Sequence, residues 1–211
     1  MRTTPRIGLP KGRLSEQAIG LLARAGIRAE TENGSRRLTF PDSSGRFEFV
    51  SLKPIDIPVY VGSGALDAGI VGSDVVREVG ADVLEPLDLR IGLCRMVLAA
   101  PAGRSLAFDD HVRIATKYPR TAERHFRSKQ SHVEIVRLEG SVEIAPLLGL
   151  ADAIVDLVET GQTLRENGLV VLEDVEKVSA KLIVNRTAMK TRAAALNSLI
   201  AELDAVIYAN P

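Results

Sequence analysis

"ADAIVDLVETGQTLRENG" (151–168) is the stretch whose reading decides the fold. An apolar, β-branched segment, "AIVDLV", runs into Thr160, Gly161, Gln162 and Thr163, after which "TLRENG" opens a helix. A strand that passes into a helix through a glycine turn is the repeating unit of α/β folds, and ligands of such folds gather where strands end. Gly161 lets backbone amides approach an anion, the helix start supplies partial positive charge, and the two threonine hydroxyls donate further hydrogen bonds. Asp156 repels phosphate but accepts hydrogen bonds, which suits sugar hydroxyls lying beside that phosphate. Taken alone, the turn reads equally well as a capped helix start. Acid and cradle together point to a sugar phosphate.

A second such turn lies upstream. "RIGLP" (6–10) has strand character, and Leu14, Ala18, Leu21, Leu22 and Ala25 follow at helical spacing until Gly26. Between them Lys11, Gly12 and Arg13 place two cations at a helix N-terminus, against the helix dipole. A bound anion would offset that cost, with Arg13 forking two phosphate oxygens and Lys11 acting as a point charge. Two solvated side chains near a turn are the alternative. Arg36 in "SRRL" (35–38) and Lys53 in "SLKPIDIP" add cations before and within the same region. Neither glycine loop matches GxxxxGK[ST] or GxGxxG, so P-loop kinases and Rossmann dehydrogenases lack support.

The rest of the chain continues the alternation. "RRLTF" and "RFEFVSL" form a strand pair around "PDSSG", and proline starts a helix at "PIDIPVYVGSG". "DAGIVG" (67–72) is a strand, with Ser73 available to cap the helix "DVVREVG". Further strands are expected near 84–90, 92–99, 112–116, 133–138, 152–158 and 169–184. From Thr187, Leu196, Leu199, Ile200, Leu203, Val206 and Ile207 make one face of a closing helix. The turn-rich "APAGRSLAFDDH" (100–111) precedes a restart of the β/α pattern and marks a change of lobe. The expected division is a discontinuous lobe I, 1–93 with 184–211, and a lobe II, 94–183, carrying the phosphate loop. Two lobes facing a cleft form a usual small-molecule site.

Composition narrows the function classes. The 211 residues are 45% hydrophobic and 26% charged, enough for real cores. Lys plus Arg and Asp plus Glu both number 27, so no net positive field exists to hold a nucleic acid. One cysteine, Cys94, forms no internal disulfide and fits a reducing compartment. "MRTTPRIGLPKGRL" lacks a signal-peptide core, and no uncharged run reaches the roughly 20 residues of a membrane span. A cytoplasmic protein without membrane contact is expected. His111, His125 and His132 form no HExxH or tight pair, so no protein-built metal site is expected. "RTAERHFRSK" (120–129) is a basic helical run of the kind that commonly faces solvent.

With these residues in view, the chain resembles the catalytic subunit of ATP phosphoribosyltransferase, first enzyme of histidine biosynthesis. "LPKGRL", "KPIDIPVYV", "DAGIVGSD", "ATKYP" and "GSVEIAPLLGLADAIVDLVETGQTLRENGL" carry the resemblance over nearly the whole chain. It implies a two-lobed α/β fold similar to type II periplasmic binding proteins, with the active site in the inter-lobe cleft. It further implies that the magnesium complex of phosphoribosyl pyrophosphate (PRPP) reacts with N1 of ATP, releasing pyrophosphate. The family's PRPP loop falls on Asp156, Thr160, Gly161, Gln162 and Thr163, while Glu143 and Asp152 match acidic positions for ribose or magnesium contacts. Lys11, Arg13, Arg36 and Lys53 match basic positions suited to the pyrophosphate and triphosphate. Lys53 stands where other members carry arginine. Asp74 and Cys94 fall in motifs on the ATP side, and Lys117 and Tyr118 lie in a further motif without an assigned role. The chain's length resembles the short form, which implies a catalytic homodimer joined to a regulatory subunit similar to histidyl-tRNA synthetase in a hetero-octamer. A two-lobed solute-binding protein that closes on a phosphorylated ligand without chemistry is the rival from another class, since fold does not settle function.

Overall fold

The computed structural model describes residues 4–30, 37–104, 106 and 111–209. β1 (Arg6–Pro10) passes into α1 (Arg13–Arg24), whose Ala18, Leu21 and Leu22 are buried. β2 (Thr39–Pro41) and β3 (Glu48–Leu52) pair antiparallel around the "PDSSG" turn. A short 3-10 turn at Pro54–Asp56 leads to α2 (Ile57–Gly62), with prolines in the first turn of each. β4 (Ala68–Gly72), α3 (Ser73–Val79) and β5 (Leu84–Asp88) follow.

The chain then builds β6 (Cys94–Pro101), β7 (Val112–Thr116), α4 (Pro119–Ser128) and β8 (Val133–Arg137). After them come α5 (Ile144–Leu147), β9 (Ala153–Val158), α6 (Gln162–Glu166) and β10 (Leu169–Val178). β11 (Ala180–Val184), α7 (Arg186–Thr191) and α8 (Ala193–Tyr208) end the order.

These elements divide into two units, 1–92 with 179–211, and 93–178. The first holds a six-stranded sheet in the order β2-β3-β1-β4-β11-β5. β1, β3 and β4 are parallel, while β11 runs antiparallel between β4 and β5. One face buries Ile7, Leu9 and Ile70 with Leu21 and Leu22 of α1 and Leu196, Leu199 and Leu203 of α8; the other packs Val71 and Ile183 on Ile57, Val61 and Val76. Each such fully buried side chain contributes about 1.5–3 kcal/mol relative to exposure. The second unit holds a five-stranded sheet, β10-β6-β9-β7-β8, with β9, β7 and β8 parallel. Its faces are covered by α4, through Ala122 and Phe126, and by Ala145 next to Leu164.

Three details depart from the expectations. The run 169–184 is two strands in different sheets, so the chain re-enters the first unit at Ser179, not at residue 184. The outward crossing falls at 92–93, because β6 is already part of the second sheet; the turn-rich 100–111 stretch lies within that unit, and 105 and 107–110 are outside the described residues. Ser73 caps no helix: it is the first residue of α3, and its Oγ accepts from the Ser179 amide at 3.4 Å while its own amide donates to Ser179 O at 2.9 Å. Among the described residues no helix is long and apolar enough to cross a membrane.

Candidate active site

The turn after β9 has the expected local form. Gly161 is the N-cap of α6 with φ 75° and ψ 9°, a left-handed conformation that costs any other L residue about 1 kcal/mol or more. Thr160, Gln162 and Thr163 are exposed. The Gln162 amide donates to Thr160 Oγ1 at 3.4 Å, Arg165 Nη1 donates to Thr160 O at 3.3 Å, and Gln162 Nε2 donates to Glu166 at 2.7 Å. Amides in a helix's first turn have no intrahelical acceptor, so this turn offers its N–H groups outward beside two threonine hydroxyls.

Two of the three predicted acids join this turn. Asp156 lies two residues before the end of β9 and alternates onto the face of Ile154 and Val158. Burial pushes its carboxyl up to about 6; a hydrogen bond from the Leu157 amide, at 2.8 Å, and the charge of Lys117 oppose that rise, and the charge of Glu143 adds to it. Glu143, the N-cap of α5, is therefore close enough to repel Asp156. Asp152 goes elsewhere. It precedes β9, at the strand's opposite end, where its carboxylate is bound by Arg104 and accepts from the Arg113 amide at 2.8 Å and Arg113 Nε at 3.3 Å. Burial raises its carboxyl, but the hydrogen bonds and charges of Arg113 and Arg104 outweigh this and hold it below the usual carboxylate range. Six extended residues separate it from the turn, roughly 20 Å at 3.3 Å each, so it fastens the sheet's far end and does not join the site.

The first unit collects its candidates at the matching edge of its own sheet. β1 and β3 are parallel with Pro10 opposite Leu52, so Lys11 and Lys53 leave two adjacent strands side by side. The Lys11 amide donates to Leu52 O at 2.8 Å. Gly12 takes φ 85° between Lys11 and Arg13, and all three are exposed. Asp74 comes from the end of neighbouring β4 and is buried with its carboxylate folded back on Gly72, where a Cβ would lie 2.1 Å from Asp74 Oδ1. Lys11, Arg13, Lys53 and Asp74 thus share the edge where parallel strands end, the position favoured for ligands in open α/β sheets. Arg36 lies outside the described residues. Cys94, half-buried, opens β6 opposite Val178; one pair further in, Arg95 faces Val158, so Cys94 borders the 159–163 edge of the second sheet.

One residue that sequence reasoning left without a role is drawn in by register. Lys117 follows Thr116, which pairs with Val155, and so emerges beside Asp156. Only the pairing of β7 with β9 reveals this, because the two residues are far apart in sequence. Among the described residues no group of three or more His, Cys, Asp or Glu side chains could hold a metal ion by itself.

Residues 53–205 match the family "HisG: ATP phosphoribosyltransferase". An ATP phosphoribosyltransferase of Caldanaerobacter subterraneus subsp. tengcongensis is 46% identical over 202 residues, covering 95% of this chain and 96% of the relative. One from Acidithiobacillus ferrooxidans is 47% identical over 215 residues, covering 98% and 99%. Among solved structures, a chain of the ATP phosphoribosyl transferase (HisG:HisZ) complex from Thermotoga maritima superposes with TM-score 0.86 at 34% identity, over 98% of this chain and 100% of that one. The periplasmic aliphatic sulphonate binding protein SsuA from Escherichia coli, at 14% identity and TM-score 0.62, shares the fold alone. A glycine turn flanked by threonines after an acid-bearing strand, and near-complete alignment with proteins of one name, lead to one assignment: the chain belongs to the ATP phosphoribosyltransferase family.

Proposed function

We propose that the chain seats PRPP on the turn at 160–163, with the 5′-phosphate on the Thr160, Gly161 and Thr163 cradle and the ribose hydroxyls on Asp156. The activity is ATP phosphoribosyl transfer, a pentosyltransferase reaction and the first step of histidine biosynthesis. N1 of ATP attacks the anomeric carbon of PRPP; the bond from that carbon to the pyrophosphate oxygen breaks, and its electron pair leaves with pyrophosphate. The ring nitrogen already carries an available lone pair, so the chain needs no nucleophile or strong base of its own. Its task is positioning and electrostatics. Lys11, Arg13 and Lys53 face the anionic phosphates, and Arg36 joins them on the family pattern. Asp74 and Cys94 belong to the ATP side on the same pattern.

Mg²⁺ enters as part of the substrate, bound to the PRPP and ATP phosphates, where it neutralises charge. The residues fit that role: Glu143 and Asp156 give two carboxylates near enough to feel each other's charge rather than a full cage, and Mg²⁺ commonly binds one or two carboxylates plus substrate phosphates. For assembly, the Thermotoga maritima relative was solved as a HisG:HisZ complex. We extend this to a catalytic homodimer of the present chain joined to a regulatory subunit similar to histidyl-tRNA synthetase, as a hetero-octamer.

The observation that carries the reading is the left-handed Gly161 turn beside the half-buried Asp156. An absorbance assay with ATP, PRPP, Mg²⁺ and pyrophosphatase tests it, with the regulatory subunit added in a parallel run. Product formation that falls strongly in Thr163→Ala is expected. Ligand binding without turnover would indicate a receptor instead, and a wild-type rate in Thr163→Ala would remove the loop assignment.

A further inference from the structure

We propose that Arg165 is a further donor-binding residue, whose guanidinium meets the 5′-phosphate of PRPP over the turn at 160–163. This rests on the reading of that turn given above and adds to it a residue from beyond the loop. Arg165 stands four positions after Gly161, the N-cap of α6. Helix side chains tilt toward the N-terminus and residues four apart share a face, so an arginine here reaches back across the start of its own helix. Its Nη1 donates to Thr160 O at 3.3 Å, and a Cβ on Gly161 would lie 3.4 Å from the same nitrogen. The guanidinium thus rests on the bare face of Gly161, at the cradle of Thr160 and Thr163.

Its charge is unmatched there. A guanidinium has five N–H donors; one is used by Thr160 O, and Arg165 makes no other hydrogen bond and no ion pair among the described residues. Its neighbours are already engaged: Gln162 Nε2 donates to Glu166 at 2.7 Å, and Asn167 Nδ2 donates to Thr163 O at 2.9 Å. Position 165 is exposed, so a ligand on the turn can reach it. A cation held over the first turn of a helix opposes the backbone dipoles, and a neutral carbonyl offsets little of that. A phosphate dianion seated on the turn reverses the balance, because the planar fork can then give it two charge-assisted hydrogen bonds beside those of the threonine hydroxyls. The 5′-phosphate keeps its charge throughout the transfer. The contact is therefore as strong in the ground state as in the transition state and serves donor binding, not the chemical step.

Ribose 5-phosphate carries this phosphate and no pyrophosphate, so calorimetry of its binding to the full chain isolates the subsite. Three variants separate a charge on the phosphate from a bond that merely ties down Thr160 O. Lysine keeps charge and donor, glutamine keeps a donor without charge, and methionine keeps neither. Arg165→Gln and Arg165→Met should each bind ribose 5-phosphate about tenfold more weakly, with Arg165→Lys recovering most of the loss. The gap between wild type and Arg165→Gln should narrow as KCl is raised from about 50 mM to about 1 M. In the absorbance assay the loss should appear in the donor KM rather than in kcat. Glutamine matching lysine, with methionine alone impaired, would make Arg165 a clasp on the turn and overturn the proposal; a fall in kcat with the donor KM unmoved would do the same. Thr163→Ala run alongside separates the two layers. Full ribose 5-phosphate affinity in Thr163→Ala sinks the loop reading and this proposal with it, whereas a crippled Thr163→Ala beside wild-type affinity in Arg165→Gln sinks this proposal alone.

Discussion

Replacing Asp156 with asparagine isolates what an ionised acid costs at this place in the fold. Its carboxyl titrates at about 6 against an ordinary 3.8, a gap of about 2 units or about 3 kcal/mol. Between those two values the folded state keeps a proton that the unfolded state has released, so wild-type stability falls as pH climbs through that window. Above about 6 the whole penalty is in place. Asparagine does not titrate, so Asp156→Asn should match the wild type near pH 4 and gain about 3 kcal/mol near pH 8. The chain has no tryptophan and three tyrosines, Tyr60, Tyr118 and Tyr208. With Tyr60 and Tyr208 changed to phenylalanine, buried Tyr118 reports urea unfolding of the second unit specifically. Donor turnover should fall as stability rises, the usual trade at a functional site. A stability gain equal at pH 4 and pH 8 would refute the reasoning, because the penalty would then not belong to ionisation.

Other substitutions probe the remaining assignments. Gly161→Ala should lose about 1 kcal/mol at φ 75° and bring a methyl to 3.4 Å from Arg165 Nη1; calorimetry should show weaker PRPP binding, and unchanged binding would disconnect the turn from the donor. Arg13→Ala, at an exposed position, should leave the thermal melt in place while slowing turnover about a hundredfold, about 3 kcal/mol. Asp152→Asn should lower stability by about 1–2 kcal/mol in urea with the donor KM unchanged. A raised donor KM without loss of stability would return Asp152 to the site.

Local chemistry made much of this legible. The Leu14 to Ala25 spacing, the "PDSSG" hairpin and the glycine turn at 161 each rest on interactions within a few residues, and each formed as expected. What stayed hidden depends on pairing between distant segments. β10 and β11 read as one strand because only Ser179 stands between them in sequence, and only their different partners, β6 against β4 and β5, separate them. Asp152 and Asp156 are four residues apart in sequence, yet extended geometry sends one to each end of β9. Ser73 looked like a cap because its type suits one; instead its amide and hydroxyl meet Ser179, 106 residues away. Lys117 needed the β7 to β9 register before it could be connected to Asp156 at all.

The late arrival of β11 has a consequence for synthesis. Everything in the second unit is contiguous, so it can fold as soon as residue 178 clears the ribosome. The first unit cannot: β5 reaches its sheet only through β11, which inserts beside β4 only after the whole second unit has been made, before α8 covers Ile7 and Leu9. Until then β4 presents a bare edge to the cell, open to mispairing or to chaperones. Of the two units, the one begun first is therefore the one completed second.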